Sequence, residues 1–376
     1  MIIRQLSENI QKNLFLKKAV VILGARQVGK TTLLQQLNLE PDNTLTLNGD
    51  EPDVRELLTG INSSRLRTII GDKKNIIIDE AQLIPEIGMT LKLITDQLKD
   101  VQLFVSGSSS IEVANQINEP LTGRKLEHQM YPVSFGEMVK HHGLLEERRQ
   151  LPHRLVFGSY PEIISSPGNE ILLLKNIAGS YLFKDILSFG EIKKPIVLEK
   201  LLKALALQVG NEVSFNELSQ LVGADKETVE KYIDLLEKAF IIFRLNALNR
   251  NVRNEIKKGK KIYFIDNGIR NAVIGNFILW ENRNDKGALW ENYLVSERIK
   301  YLNYYGFYGS FYFWRTTQQQ EVDFIEEQDG KFNAFEFKLS STKNTKLSST
   351  FQNAYLVAGY HTISMLNVED FLLPVI

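Results

Sequence analysis

The chain has 376 residues, with 45 Lys+Arg balanced by 45 Asp+Glu, 43% hydrophobic and 24% charged residues, and no cysteine. Single cores stop growing near about 250–300 residues, so this ordinary globular composition implies two or three domains. Without thiols there are no disulfides, thiolate metal centres or cysteine nucleophile; the five histidines lack helical metal spacing, and the charge balance argues against a protein that coats nucleic acid. Charges interrupt the opening MIIRQLSENIQKNLFLKKAVVILG before a signal-peptide core can form, and no apolar run reaches the roughly 18 residues of a membrane span. An intracellular, cytoplasmic protein with no membrane partner is therefore expected.

Residues 19–23 (AVVIL) read as a buried strand, and residues 45–47, 76–78 and 103–105 follow in the same style. Amphipathic stretches such as 31–39 and 87–98 separate them. The alternation predicts an α/β fold with a parallel sheet covered on both faces. Between the first strand and its helix, Gly24-Ala25-Arg26-Gln27-Val28-Gly29-Lys30-Thr31 matches GxxxxGK[ST], and Thr32 continues into the helix. Such a loop wraps phosphates with backbone N–H groups. Lys30 supplies a cation to the β- and γ-phosphates and the Thr31 hydroxyl ligates Mg²⁺. These residues make ATP and Mg²⁺ the expected ligands.

Three further stretches fit the same site. The strand NIII ends in Asp79-Glu80, 49 residues after Lys30, where Asp79 can hold the Mg²⁺ shell and Glu80 can orient and deprotonate a water. The next strand runs into Ser106-Gly107-Ser108, and either Ser106 or Ser108 would reach the γ-phosphate or its water. Arg124, in LTGRK, is the candidate γ-phosphate-sensing cation.

From about residue 131 the pattern turns helical. Three helical stretches (VLEKLLKALALQVG, SFNELSQLVG and DKETVEKYIDLLEK) and an apolar strand pair form a winged helix-turn-helix pattern, with its turn at Val222-Gly223-Ala224 and Asp225 as the next N-cap. The third helix, residues 225–238, carries five acids and three lysines and no arginine, which opposes reading DNA through the major groove. The basic stretch 250–261 could still contact backbone phosphates. A last module follows, with a helix over 288–303 and strands at 311–315, 321–326 and 334–339. On it Glu291, Asp323, Glu336 and Lys338 form a D…ExK pattern, since Glu336 and Lys338 share one strand face. Two carboxylates there would share a divalent metal, and Lys338 would stabilise or activate a water. The aromatic-rich run 304–314 reads mainly as core.

GARQVGKTTLL, IIIDEAQ, VSGSSS, LTGRKLEHQMYPVSFGE and YLFKDIL together resemble the prokaryotic AAA-superfamily ATPases that carry a C-terminal domain of uncharacterised function. The resemblance runs through nearly the whole chain. It implies an ASCE-type P-loop ATPase core, a winged-helix middle and a restriction-endonuclease-like (PD-(D/E)xK) C-terminal fold. The expected division is 1–190 for the ATPase with a helical extension, 191–255 for the winged helix and 256–376 for the nuclease-like module. Three functions compete: an ATP-hydrolysing switch that repositions the C-terminal module, an ATP-regulated metal-dependent nuclease acting on DNA or RNA, and a non-hydrolysing scaffold that recruits a protein partner. Oligomeric state stays open in all three.

Overall fold

A computed structural model describes residues 1–107, 120–182, 192, 194–249, 259–340 and 346–374. The chain divides into two compact units, one built chiefly on Met1–Val133, the other on Ser134–Ser180, Ile192–Glu237 and Ile241–Ile376.

The first unit holds a five-stranded parallel sheet of β1 (Ala19–Leu23), β2 (Thr44–Asn48), β3 (Asn75–Asp79), β4 (Gln102–Gly107) and β5 (Lys125–Gln129), in the order β2-β3-β4-β1-β5. Every residue of β1, β3 and β4 is buried, because helices cover both faces of a parallel sheet; their continuous apolar runs follow from that. The edge strands β2 and β5 are mostly half-buried, and KLEHQ of β5 carries no apolar run that would mark it as a strand. The register sets Leu23 beside Gly107 and Ile78 beside Val105, so β1, β4 and β3 end along one edge. Helix α1 (Gln5–Gln11) precedes β1 and helix α2 (Lys30–Gln36) follows it.

The second unit holds a seven-stranded mixed sheet of β6 (Glu212–Val213), β7 (Ile242–Ala247), β8 (Lys260–Phe264), β9 (Ser310–Arg315), β10 (Glu321–Gln328), β11 (Lys331–Phe337) and β12 (Val357–Ile363), in the order β12-β11-β10-β9-β7-β8-β6. Helices Pro195–Leu207, Phe215–Val222 and Lys226–Lys238 precede β7. Gly223 ends the second of them in a left-handed conformation (φ +71°), and Asp225 caps the third by accepting from the Thr228 N–H and hydroxyl, both at 2.7 Å. β7 pairs antiparallel with β8 and parallel with β9. β7 and β8, which flank the expected boundary at 255/256 in sequence, therefore pair within one sheet, and the helices of residues 135–176 belong to this second unit.

Helix Lys286–Tyr304 is fastened to this sheet by a buried asparagine. Asn292 accepts from the Phe264 N–H (2.7 Å) and donates to the Phe264 carbonyl (3.0 Å) and Asn267 Oδ1 (2.6 Å). Asn267 in turn donates to the carbonyls of Leu155 and Leu289, each at 3.0 Å. Of the aromatic run, Tyr304, Phe313 and Trp314 are core, Trp314 meeting the Phe351 ring edge-on at 5.1 Å, whereas Tyr305 and Tyr308 are exposed. Asn292→Leu strands two buried backbone groups of Phe264 at about 1–3 kcal/mol each. A scanning calorimetry trace should show the transition of the second unit lowered by about 5 °C or more.

Candidate nucleotide site and the C-terminal carboxylate cluster

β1 delivers the loop of residues 24–31 to the strand edge where β3 and β4 also end. At Gly24 a Cβ would lie 2.2 Å from the Met130 carbonyl oxygen, so the backbone passes only as glycine. Gly29 turns the chain into α2 with φ +94°. Ala25 and Val28 are buried beneath the loop, Arg26 and Gln27 are half-buried along it, and Thr31 and Thr32 face outward at the start of α2. Lys30 is 5% exposed, and its Nζ donates to the carbonyls of Gly24 (2.9 Å) and Ala25 (3.0 Å).

Three of the expected residues meet at Asp79, a buried carboxylate at the tip of β3. Its Oδ2 accepts from the Thr31 hydroxyl at 2.7 Å, and its Oδ1 accepts from the Ser106 hydroxyl on β4 and from the Glu80 N–H at 3.1 Å. β4 lies between β1 and β3, which is why Ser106 can reach the carboxylate that Thr31 approaches from the other side. Glu80 follows in a left-handed conformation (φ +48°, ψ +43°), a strained placement for a non-glycine residue of the kind that concentrates at functional sites. Its Oε2 accepts from the Gln82 side-chain amide at 2.5 Å, which orients the carboxylate. Hydroxyl and carboxylate oxygens are the hard donors that Mg²⁺ prefers, so Thr31 and Asp79 fit that ion. When bound, Mg²⁺ would neutralise charge on phosphate oxygens.

Two expected residues do not join this group. Ser108 lies outside the described residues. Arg124 is carried to the wrong end of the sheet: its carbonyl accepts from the Ala19 N–H at 2.8 Å, beside the first residue of β1, whereas the loop leaves the last. At about 3.3 Å per residue, a five-residue parallel strand separates the two ends by roughly 15 Å. The guanidinium instead pairs at the surface with Asp96 (2.6 Å), whose hydrogen bond holds the Asp96 carboxyl below its usual value. A γ-phosphate-sensing role for Arg124 within its own chain is therefore corrected by the direction of β5.

Sequence reading missed Arg4. Only 4% exposed, it donates through Nη1 to the Val28 carbonyl in the loop and through Nη2 to the Tyr131 carbonyl after β5, each at 2.6 Å. It thus ties α1 to the loop and to the chain beyond β5. A single arginine ahead of a strand gives no local signal for such a role, because its partners lie 24 and 127 residues away.

The second unit brings the C-terminal residues together around a residue the motif does not contain. Glu291 (on Lys286–Tyr304), Asp323 (β10), Glu336 (β11) and Lys338 converge, but Lys261 of β8, 2% exposed, stands among them. Its Nζ lies 2.9 Å from Glu291 Oε1 and 2.7 Å from Glu321 Oε1, and Tyr263 donates its hydroxyl to Glu291 Oε1 at 2.7 Å. Lys261 is thus a buried ion-pair partner, not part of an exposed basic surface; residues 250–258 of that stretch lie outside the described residues. Asp323 accepts from the Phe337 N–H at 2.7 Å. Burial, then the neighbouring Glu291 charge, raise its carboxyl to about 7 against the pull of Lys261. Glu336 accepts from the Tyr360 hydroxyl and pairs with Lys338 Nζ at 2.6 Å. The hydrogen bond to Glu336 raises the Lys338 ammonium above its ordinary value, which favours the cation. Among the described residues no three His, Asp or Glu side chains are arranged to hold a metal ion.

Residues 16–139 match the family profile of an AAA domain, and residues 148–278 and 286–367 match two domains of unknown function, DUF8612 and DUF4143. An uncharacterized protein of Mycobacterium tuberculosis is 25% identical over 354 residues, 92% of this chain and 76% of its own length. One from Methanocaldococcus jannaschii is 25% identical over 350 residues, 85% of this chain and 74% of its own. Among solved structures, one titled as a Walker-type ATPase of Pyrococcus abyssi superposes with a TM-score of 0.47 at 14% identity, covering 72% of this chain and 94% of that one. No described helix is long and apolar enough to cross a membrane. The first unit thus combines a match to an AAA-domain profile with a parallel five-stranded sheet that carries a GxxxxGK[ST] loop at its strand edge.

The raised Asp323 carboxyl gives a pH signature. A carboxyl titrating near 7 when folded and near its ordinary 3.8 when unfolded binds more protons in the native state between those values. Its charge therefore destabilises the fold progressively as pH rises through that window. Asp323→Asn removes the penalty, so its melting temperature relative to wild type should be higher at pH 8 than at pH 4.5.

Proposed function

We propose that the protein binds and hydrolyses ATP with Mg²⁺ at the loop of residues 24–31, and that its nucleotide state sets the position of the C-terminal module. The meeting of Thr31, Asp79 and Ser106 at one strand edge, with Glu80 next in sequence, carries this reading. In it Lys30 turns from the Gly24 and Ala25 carbonyls to the β- and γ-phosphates. Thr31 and Asp79 hold the Mg²⁺ shell, Ser106 fixes the Asp79 carboxylate, and Glu80 orients and deprotonates the attacking water while Gln82 positions it.

Residues 191–255 are read as a winged helix with its wing completed by β8, supported by the element order helix, β6, two helices, β7, β8 and by β8 lying between β6 and β7. Its third helix faces a protein rather than a DNA groove in this account. Two of that helix's five acids, Asp234 and Glu237, are answered by Arg244 of β7, and its exposed face keeps Glu227 and Glu230. Residues 256–376 are read as a restriction-endonuclease-like module, supported by Asp323 on β10, Glu336 on the adjacent β11 and Lys338 just past its end, with Glu291 near Asp323. That module serves as the moved element of the switch, and the internal pairing of Lys261 disfavours metal-dependent cleavage of DNA or RNA.

Nucleotide titration and phosphate-release assays on purified full-length protein test the central reading. Lys30→Ala should weaken ATP binding by about tenfold or more, the loss of a charge-assisted contact of about 1.5–3 kcal/mol. Glu80→Gln should bind ATP as wild type does and release phosphate at least about 100-fold more slowly, the usual scale for a positioned general base. Wild-type turnover in Glu80→Gln would remove the base assignment. Arg124→Ala should leave ATP affinity within about twofold, since a residue at the far strand end contributes no cis contact.

A further inference from the structure

The D…ExK pattern leads one to expect a divalent ion among the C-terminal carboxylates, yet the residues present fit a different cation. Lys261 lies inside β8, paired with Leu245 on one side and Glu212 on the other. Strand alternation puts its side chain on the same face as Tyr263, and Tyr263 donates to Glu291 on that face. The backbone register thus commits the Lys261 ammonium to the carboxylates, with the Phe313 ring 5.4 Å away and almost no solvent access. It bridges Glu291 from the helix and Glu321 from β10, and its charge also acts on Asp323. Glu336 is engaged separately by Lys338 and Tyr360.

We infer that Lys261 is the resident cation of this cluster, occupying by covalent attachment the electrostatic position a divalent metal would take, so that the cluster closes the sheet instead of recruiting a metal. The ammonium joins β8, β10 and helix Lys286–Tyr304 into one ion-paired group. A divalent ion would have to displace a buried ammonium from two ion pairs, leaving that charge unpaired on a side chain only 3% exposed. Substituting Lys261 should uncover what the lysine suppresses: carboxylates from two elements, facing one another, with their charge uncompensated.

Mn²⁺ binding followed by electron paramagnetic resonance on the full chain, without nucleotide, tests this. An Asp79→Asn background removes the carboxylate of the phosphate loop from the readout. In that background the protein should bind no Mn²⁺ through Asp323 at concentrations up to about 1 mM, the weak end of protein sites for hard divalent ions. Lys261→Met keeps the apolar stem and removes the charge; it should gain a Mn²⁺ site at least about tenfold tighter, and adding Asp323→Asn should abolish it. Lys261→Arg keeps the cation and should bind as poorly as the parent. Mn²⁺ binding by the parent that Asp323→Asn removes would overturn the inference. So would a folded Lys261→Met, judged by near-UV circular dichroism, that binds no more tightly. If Lys261→Met does not fold, the parent with and without Asp323→Asn decides the matter alone.

Discussion

The carboxylate of Asp79 is the contact on which the first unit's chemistry depends. It is buried at the end of a fully buried strand, and both its oxygens are taken: Thr31 on one, Ser106 and the Glu80 N–H on the other. A buried carboxylate is costly unless hydrogen-bonded, so the sheet order that sets β4 between β1 and β3 is what makes the placement tolerable. The same order brings the hydroxyl of the phosphate loop to a potential metal ligand. Arg4 completes the arrangement from behind by pinning the Val28 carbonyl, so the loop is fixed at both its strand and its helix ends.

The two acidic clusters of the chain show how similar residue types reach opposite outcomes. At Asp79 the neighbours are hydroxyls and a backbone N–H, neutral donors that bring no compensating positive charge. At Glu291, Glu321 and Asp323 the neighbour is a lysine ammonium held by its own strand. A cluster compensated from within contributes cohesion between sheet and helix. One compensated from outside can respond to a ligand. The switch reading assigns these two behaviours to the C-terminal module and the nucleotide domain respectively.

How much the sequence discloses depends on how local each signal is. The central strands β1, β3 and β4 are legible because burial on both faces makes them uninterrupted apolar runs, and the loop between β1 and α2 is legible because its glycines answer a local backbone demand. β5 is not, since an edge strand with KLEHQ needs no apolar run. The seven-stranded sheet is illegible across residues 255 and 256, because it is joined by the pairing of Asn246 with Tyr312 and Ala247 with Phe313, far apart in sequence. Arg124 misleads for a related reason: its motif lies near the right residues in sequence, but the parallel direction of β5 carries it to the opposite edge. Lys261 is invisible as a site residue because what decides its role is which strand face it occupies.

Calorimetric titration of Mg²⁺·ATP against the wild type and Asp79→Asn, each also titrated with ATP and excess chelator, tests the central claim most directly. The wild type should bind ATP more tightly with Mg²⁺ than without it, and Asp79→Asn should lose most of that difference while keeping metal-free binding. An unchanged Mg²⁺ dependence in Asp79→Asn would contradict the assignment of the β1, β3 and β4 edge as the nucleotide site.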